Sequence, residues 1–135
     1  MAKILLVDDD RDLTESLRQV LKVKGYEVEV AHNGQEGLKK LLEVKPDLLS
    51  LDVMMETDTA GFEAVYKIRN ERADSKYREF KDLPIIILTA IDQVTHSRFS
   101  LDQEESFLPG RNEFLTKPVE VEELLEKIEK NLAKN

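Results

Sequence analysis

Four short apolar runs, each stopped by a polar residue, constrain the fold of this chain more than any other feature. Ile4-Leu5-Leu6-Val7 runs into Asp8 and Asp9, and Leu48-Leu49-Ser50-Leu51 runs into Asp52. Ile85-Ile86-Ile87-Leu88 stops at Thr89, and Phe114-Leu115-Thr116 stops at Lys117. Runs this short, bounded by turn residues, read as strands buried on both faces, the habit of a parallel sheet. In an open parallel sheet ligands bind beyond the carboxyl ends of the strands. The four polar positions are therefore expected to meet at one site.

Helical spacing fills the intervals. Leu13, Leu17, Val20 and Leu21 predict a helix from about residue 10 to Lys24, stopped by Gly25. Residues 26–31 alternate in polarity and predict a strand near the sheet edge. Asn33-Gly34 marks a turn, and Leu38, Leu41 and Leu42 mark a second helix ending before Pro46. Phe62, Val65 and Ile68 predict a third helix after Gly61, and the charged residues 70–82 either extend it or form a loop. Pro84 opens the fourth strand, residues 91–109 show a weak helical period, and 113–116 form the fifth strand. Val121, Leu124, Leu125, Ile128 and Leu132 place one apolar face on a last helix. Five βα units with no repeat or linker predict one α/β domain over residues 1–135, a doubly wound three-layer parallel sheet.

Composition narrows the function. The chain has no cysteine, which excludes disulfides, thiolate metal sites and a Cys nucleophile and fits a reducing, cytoplasmic setting. No stretch approaches the roughly 20 apolar residues of a membrane span, and the amino-terminal run is too short for a signal peptide. A net charge of −8, from 28 acidic and 20 basic residues, argues against binding nucleic acid or an anionic membrane.

If the first and third strands are neighbours, Asp8, Asp9 and Asp52 crowd together. Two charges about 5 Å apart repel by roughly 3 kcal/mol at an effective dielectric near 20. Either a cation joins them or a pKa rises. Hard carboxylate oxygens suit Mg²⁺. Asp10 and Asp12 have a simpler role, capping the first helix and meeting its positive dipole end. Thr89 and Lys117 supply a hydroxyl and an ammonium, the components that stabilise charge on a transferring phosphoryl group, and Ala90 lets its backbone N–H approach closely. His32 and His96 lack ligand spacing and are expected to be neither metal ligands nor phosphodonors.

Val7-Asp8-Asp9-Asp10, Leu51-Asp52-Val53-Met54-Met55, Leu88-Thr89-Ala90 and Phe114-Leu115-Thr116-Lys117-Pro118 together resemble the receiver domain of two-component response regulators. The resemblance covers the whole chain. It implies a flavodoxin-like (CheY-like) fold with strand order 2-1-3-4-5. It implies a signalling phosphoprotein and not an enzyme acting on other molecules. Asp52 would accept a phosphoryl group from a sensor histidine kinase or phosphotransfer protein. Asp8, Asp9, Asp52 and the Met54 carbonyl would hold Mg²⁺. Lys117, Thr89 and the Ala90 amide would bind the phosphoryl group. Thr89, Phe114 and Pro118 would form the switch, with Pro118 following a cis bond, and the face made by the fourth helix, fifth strand and last helix would meet an unknown protein target.

The chain also departs from the family pattern. Glu56 stands where the family commonly has Pro, Gly61 comes one residue late, and Phe114 lacks the hydroxyl of the commoner Tyr. Apolar Met54 and Ile91 flank the phosphoryl position and are expected to slow dephosphorylation. The long span 91–109 reads equally as a partner-specific surface or as a tolerated insertion, and the charged segment 69–81 leans to the latter. A stand-alone receiver is expected. The alternatives are a receiver cut from a longer regulator and a scaffold that works without phosphorylation. A haloacid-dehalogenase-type phosphatase would want an Asp where Met54 stands.

Overall fold

The computed structural model describes residues 2–53, 60–69, 75–89 and 112–133. Five parallel strands form one sheet in the order β2-β1-β3-β4-β5. They are β1 (Lys3–Val7), β2 (Glu27–Ala31), β3 (Leu48–Asp52), β4 (Ile85–Thr89) and β5 (Asn112–Thr116). The helices are α1 (Arg11–Val23), α2 (Gly34–Val44), α3 (Ala60–Arg69) and α4 (Val121–Ala133), with a 3-10 turn at Arg78–Phe80. The strand order is the one the resemblance implies, and the alternating strand at 27–31 is indeed an edge. The weak helical period at 91–109 lies outside the described residues.

The continuous apolar runs explain the layering. Alternate residues of a strand face opposite sides, so a run without polar gaps must be covered twice. On one face Leu5, Val7, Leu49, Leu51, Ile85 and Ile87 pack with Leu38 and Leu41 of α2 and with Val65 and Ile68 of α3. On the other, Ile4, Leu6, Leu48, Ile86 and Leu88 pack with Leu17 and Leu21 of α1 and with Leu124 and Ile128 of α4. Each such side chain contributes about 1.5–3 kcal/mol.

The helix ends follow local chemistry. Asp10 caps α1 by accepting the Leu13 N–H at 3.0 Å, and Asn33 caps α2 by accepting the Glu36 N–H at 2.8 Å. Gly25 leaves α1 with φ of +98°, a conformation a β-carbon disfavours. Two details differ from the expectation. Val121 is 37% exposed, and the buried stripe of α4 continues instead through Asn131. The turn at 78–81 is anchored to α3, because the buried Arg69 guanidinium donates to the Lys81 carbonyl at 2.7 Å and Phe80 is buried beside it.

Candidate functional site

The β1 chain end is held before any chemistry is considered. The Asp8 N–H donates to the Ala31 carbonyl at 3.1 Å, extending the β1–β2 ladder by one bond. Asp8 Oδ1 then accepts the Asp10 N–H at 2.9 Å, and Asp10 caps α1. These bonds turn the backbone over the sheet edge with Asp8 buried and Asp9 exposed. Asp52 is the last residue of β3 and is 4% exposed. The Val53 N–H donates to Leu88 and the Val53 carbonyl accepts from Gly61, so α3 starts directly against the backbone that follows Asp52. A β-carbon on Gly61 would sit 2.6 Å from Val53 Cα, so only glycine fits.

From the other side Lys117 arrives just past β5. Its N–H donates to the Thr89 carbonyl at 2.8 Å, and the following bond to Pro118 is cis, as the resemblance implies. Its Nζ lies 3.0 Å from Asp8 Oδ2 and 3.4 Å from Asp52 Oδ2. The ammonium therefore bridges two carboxylates, and Asp8 is the nearer. Thr89 closes β4 and is 5% exposed. Phe114 is partly buried against the α2–α3 side of the core. Ala90, Met54, Ile91 and Glu56 lie outside the described residues.

Carboxylate oxygens of Asp8, Asp9 and Asp52 lie within 4.8 Å of one another. At that distance each charge pair repels by about 3 kcal/mol. The consequence appears at Asp52, whose pKa is pushed up to about 6, first by burial, then by the Asp8 charge, with Lys117 opposing and Asp9 adding to the rise. Burial pushes the Lys117 ammonium down, but the two carboxylates outweigh it and its pKa is raised, so it stays charged. The site fits a hard divalent cation. Its donors are all oxygens, three carboxylates face one ammonium, and buried Asp8 Oδ2 is met by that single Lys117 ammonium at 3.0 Å.

The family model of the response regulator receiver domain matches residues 4–129. The chain belongs to this family. The receiver is 42% identical over 123 residues to response regulator MprA of Mycobacterium ulcerans, covering 91% of this chain and 47% of that protein. It thus spans about half the length of the curated relatives it matches. A CheY-like receiver domain protein from Methanospirillum hungatei superposes with a TM-score of 0.76 at 30% identity, over 99% of this chain and 95% of that one. Response regulator TrrA of Thermotoga maritima, solved with Mg²⁺ and BeF, superposes with a TM-score of 0.72 at 33% identity, over 97% and 99% of the two chains. The receiver is therefore a signalling module of two-component systems, and its homologues are response regulators.

Three receiver features escaped sequence reasoning. His32 lies beside Asp8, as the register Val7 with Ala31 implies one step further on, and its Nδ1 is 3.1 Å from the Asp8 carbonyl oxygen. Gly61 owes its place to a backbone crossing that spacing does not reveal. Asn131 sits where the α4 stripe calls for an apolar residue, and that mismatch was a usable signal. It donates to the Lys127 carbonyl at 2.8 Å and to the Glu113 carboxylate, which Lys127 and Lys130 also approach.

Proposed function

We propose that this receiver takes a phosphoryl group from the phosphohistidine of a sensor histidine kinase, or of a phosphotransfer protein, onto Asp52. One observation carries the proposal: four strand ends bring Asp8, Asp9, Asp52, Thr89 and Lys117 to a single acidic, oxygen-rich site. A carboxylate oxygen of Asp52 attacks phosphorus, the P–N bond breaks as the P–O bond forms, and the departing imidazole takes up a proton. Asp8, Asp9, Asp52 and the Met54 carbonyl would hold Mg²⁺, which would offset the crowded carboxylate charge and that of the incoming phosphoryl oxygens. That the similar receiver TrrA was solved with Mg²⁺ and BeF supports a Mg²⁺ site of this kind.

Lys117 holds the phosphoryl oxygens by charge, and Thr89 with the Ala90 amide hydrogen-bonds them. Movement of Thr89 repositions Phe114, and Pro118 fixes the segment after Lys117. The altered face made by the helix expected at 91–109, β5 and α4 meets a protein target. The receiver catalyses its own phosphorylation, and Met54 and Ile91 slow the loss of the phosphoryl group, so its half-life exceeds seconds. Residues 1–135 form the receiver unit, which works in the cytoplasm; among the described residues no helix is long and apolar enough to cross a membrane. A second reading, the receiver part of a longer regulator with an output domain, is favoured by the 47% share of MprA that the chain spans.

The test is incubation with a small acyl phosphate and Mg²⁺, read by intact mass. The expected result is the gain of one phosphoryl group by the wild type and none by Asp52→Asn. Equal masses would leave a scaffold that works without phosphorylation.

A further inference from the structure

His32 follows the last residue of β2, where the β1–β2 register sets it beside Asp8. Its ring Nδ1 lies 3.1 Å from the Asp8 carbonyl oxygen. A carbonyl oxygen only accepts, so Nδ1 carries the hydrogen and donates. The residue is itself held in place. Its N–H donates to Glu36 Oε1 at 2.7 Å, while the Glu36 N–H donates to Asn33 Oδ1, the cap of α2. Since the Asp8 N–H already donates to Ala31, both peptide groups flanking Asp8 are tied to the end of β2. The peptide plane that carries the Asp8 carbonyl also carries the Asp9 N–H. Its tilt sets the directions in which both side chains leave the backbone.

We propose that His32 is a positioning residue for the Asp8–Asp9 pair, holding the peptide between them so that two mutually repelling carboxylates stay arranged for a divalent cation. The inference rests on the reading of this site as a Mg²⁺ site. Without the clamp the plane is free to tilt and the carboxylates relax apart, and a cation must reorder them on binding. Partners that orient metal ligands tune affinity in this way. Here the bond goes to the ligand's backbone. The expected effect is therefore that of one neutral hydrogen bond and not that of a lost ligand.

Mg²⁺ alone is the probe, titrated calorimetrically into the wild type, Asp9→Asn, His32→Leu, His32→Asn and His32→Gln, with thermal melts confirming that each is folded. The Asn amide nitrogen takes the place of Nδ1 and restores the donor, whereas Gln puts its amide where Nε2 sits. The expected result is weakening of Mg²⁺ binding by roughly threefold to tenfold in His32→Leu and His32→Gln, the range spanned by one neutral hydrogen bond, with near-wild-type affinity in His32→Asn. Ring ¹⁵N spectra of the wild type should show the Nδ1–H tautomer with and without Mg²⁺. Wild-type affinity in both His32→Leu and His32→Gln, or equal weakening in His32→Asn, overturns the role of His32. In that event binding lost only in Asp9→Asn keeps the Mg²⁺ site. A wild type that takes up no Mg²⁺ overturns the site itself, and this role with it.

Discussion

Asp52 is placed where an ionised carboxylate is unwelcome, buried at a strand end beside Asp8 and Asp9 and only partly compensated by Lys117. Its pKa of about 6 against an ordinary 3.8 means that the folded protein holds a proton there which the unfolded chain has released. Without a cation, stability therefore falls as pH rises from near 3.8 to about 6, and the full penalty persists above that window. Asp52→Asn should remove it, making the cation-free protein about 1–3 kcal/mol more stable than the wild type at pH 7.5 and little different at pH 4. Urea unfolding at the two pH values measures this. A variant no more stable than the wild type at the higher pH would contradict the electrostatic account. Lys117 points the same way, because its nearer partner is Asp8, and losing the ammonium leaves two buried carboxylates facing each other.

The helices are positioned by contacts at their ends as much as by their apolar stripes. α3 begins against the backbone after Asp52, and a β-carbon at Gly61 would meet main chain that cannot yield cheaply. Gly61→Ala is expected to cost about 1–3 kcal/mol by overpacking. It should also slow phosphorylation of Asp52, since the displaced backbone is next to this proposed acceptor; denaturant melts and phosphorylation rates together check this. α4 is tied to β5 by the Asn131–Glu113 bond and its lysines. Burial pushes the Glu113 carboxyl up, but Asn131, Lys127 and Lys130 outweigh it and its pKa is lowered. Its stabilisation is therefore present above the ordinary pKa of 4.5 and is lost as pH falls through the lower folded value. Asn131→Ala should cost about 1–3 kcal/mol at pH 7, and less in acid, where Glu113 protonates in both proteins.

For the whole molecule, a ligand that binds only the native state adds stability by mass action. Mg²⁺ at 100 times its dissociation constant should add about 2.7 kcal/mol, raising the melting temperature by roughly 8–12 °C. Asp9→Asn should lose the shift, and differential scanning calorimetry with and without the cation reads both. Phosphorylation meets a similar limit. The two charge-assisted bonds proposed from Thr89 and the Ala90 amide would contribute about 1.5–3 kcal/mol each. Carrying a population from 1:99 to 99:1 needs about 5.5 kcal/mol. The phosphorylated receiver should therefore remain a mixture until its target binds, with relaxation dispersion detecting exchange at β4 and β5. A single rigid conformer before and after phosphorylation would rule this out.

The sequence by itself determined the layered α/β class, the five strands and the convergence of Asp8, Asp9, Asp52, Thr89 and Lys117, because buried runs ending in polar residues leave a parallel sheet few alternatives. The helix cap at Asp10 was legible because it acts within one turn of chain, whereas Asn33, read as a turn residue, proves also to cap α2. Tertiary structure alone decided the rest. That Lys117 sits closer to Asp8 than to Asp52, that His32 holds the Asp8 carbonyl, that Gly61 must lack a side chain and that Arg69 anchors the turn at Phe80 all depend on how separate elements meet. Local periodicity records which face of an element is buried. It does not record which atoms of another element arrive there.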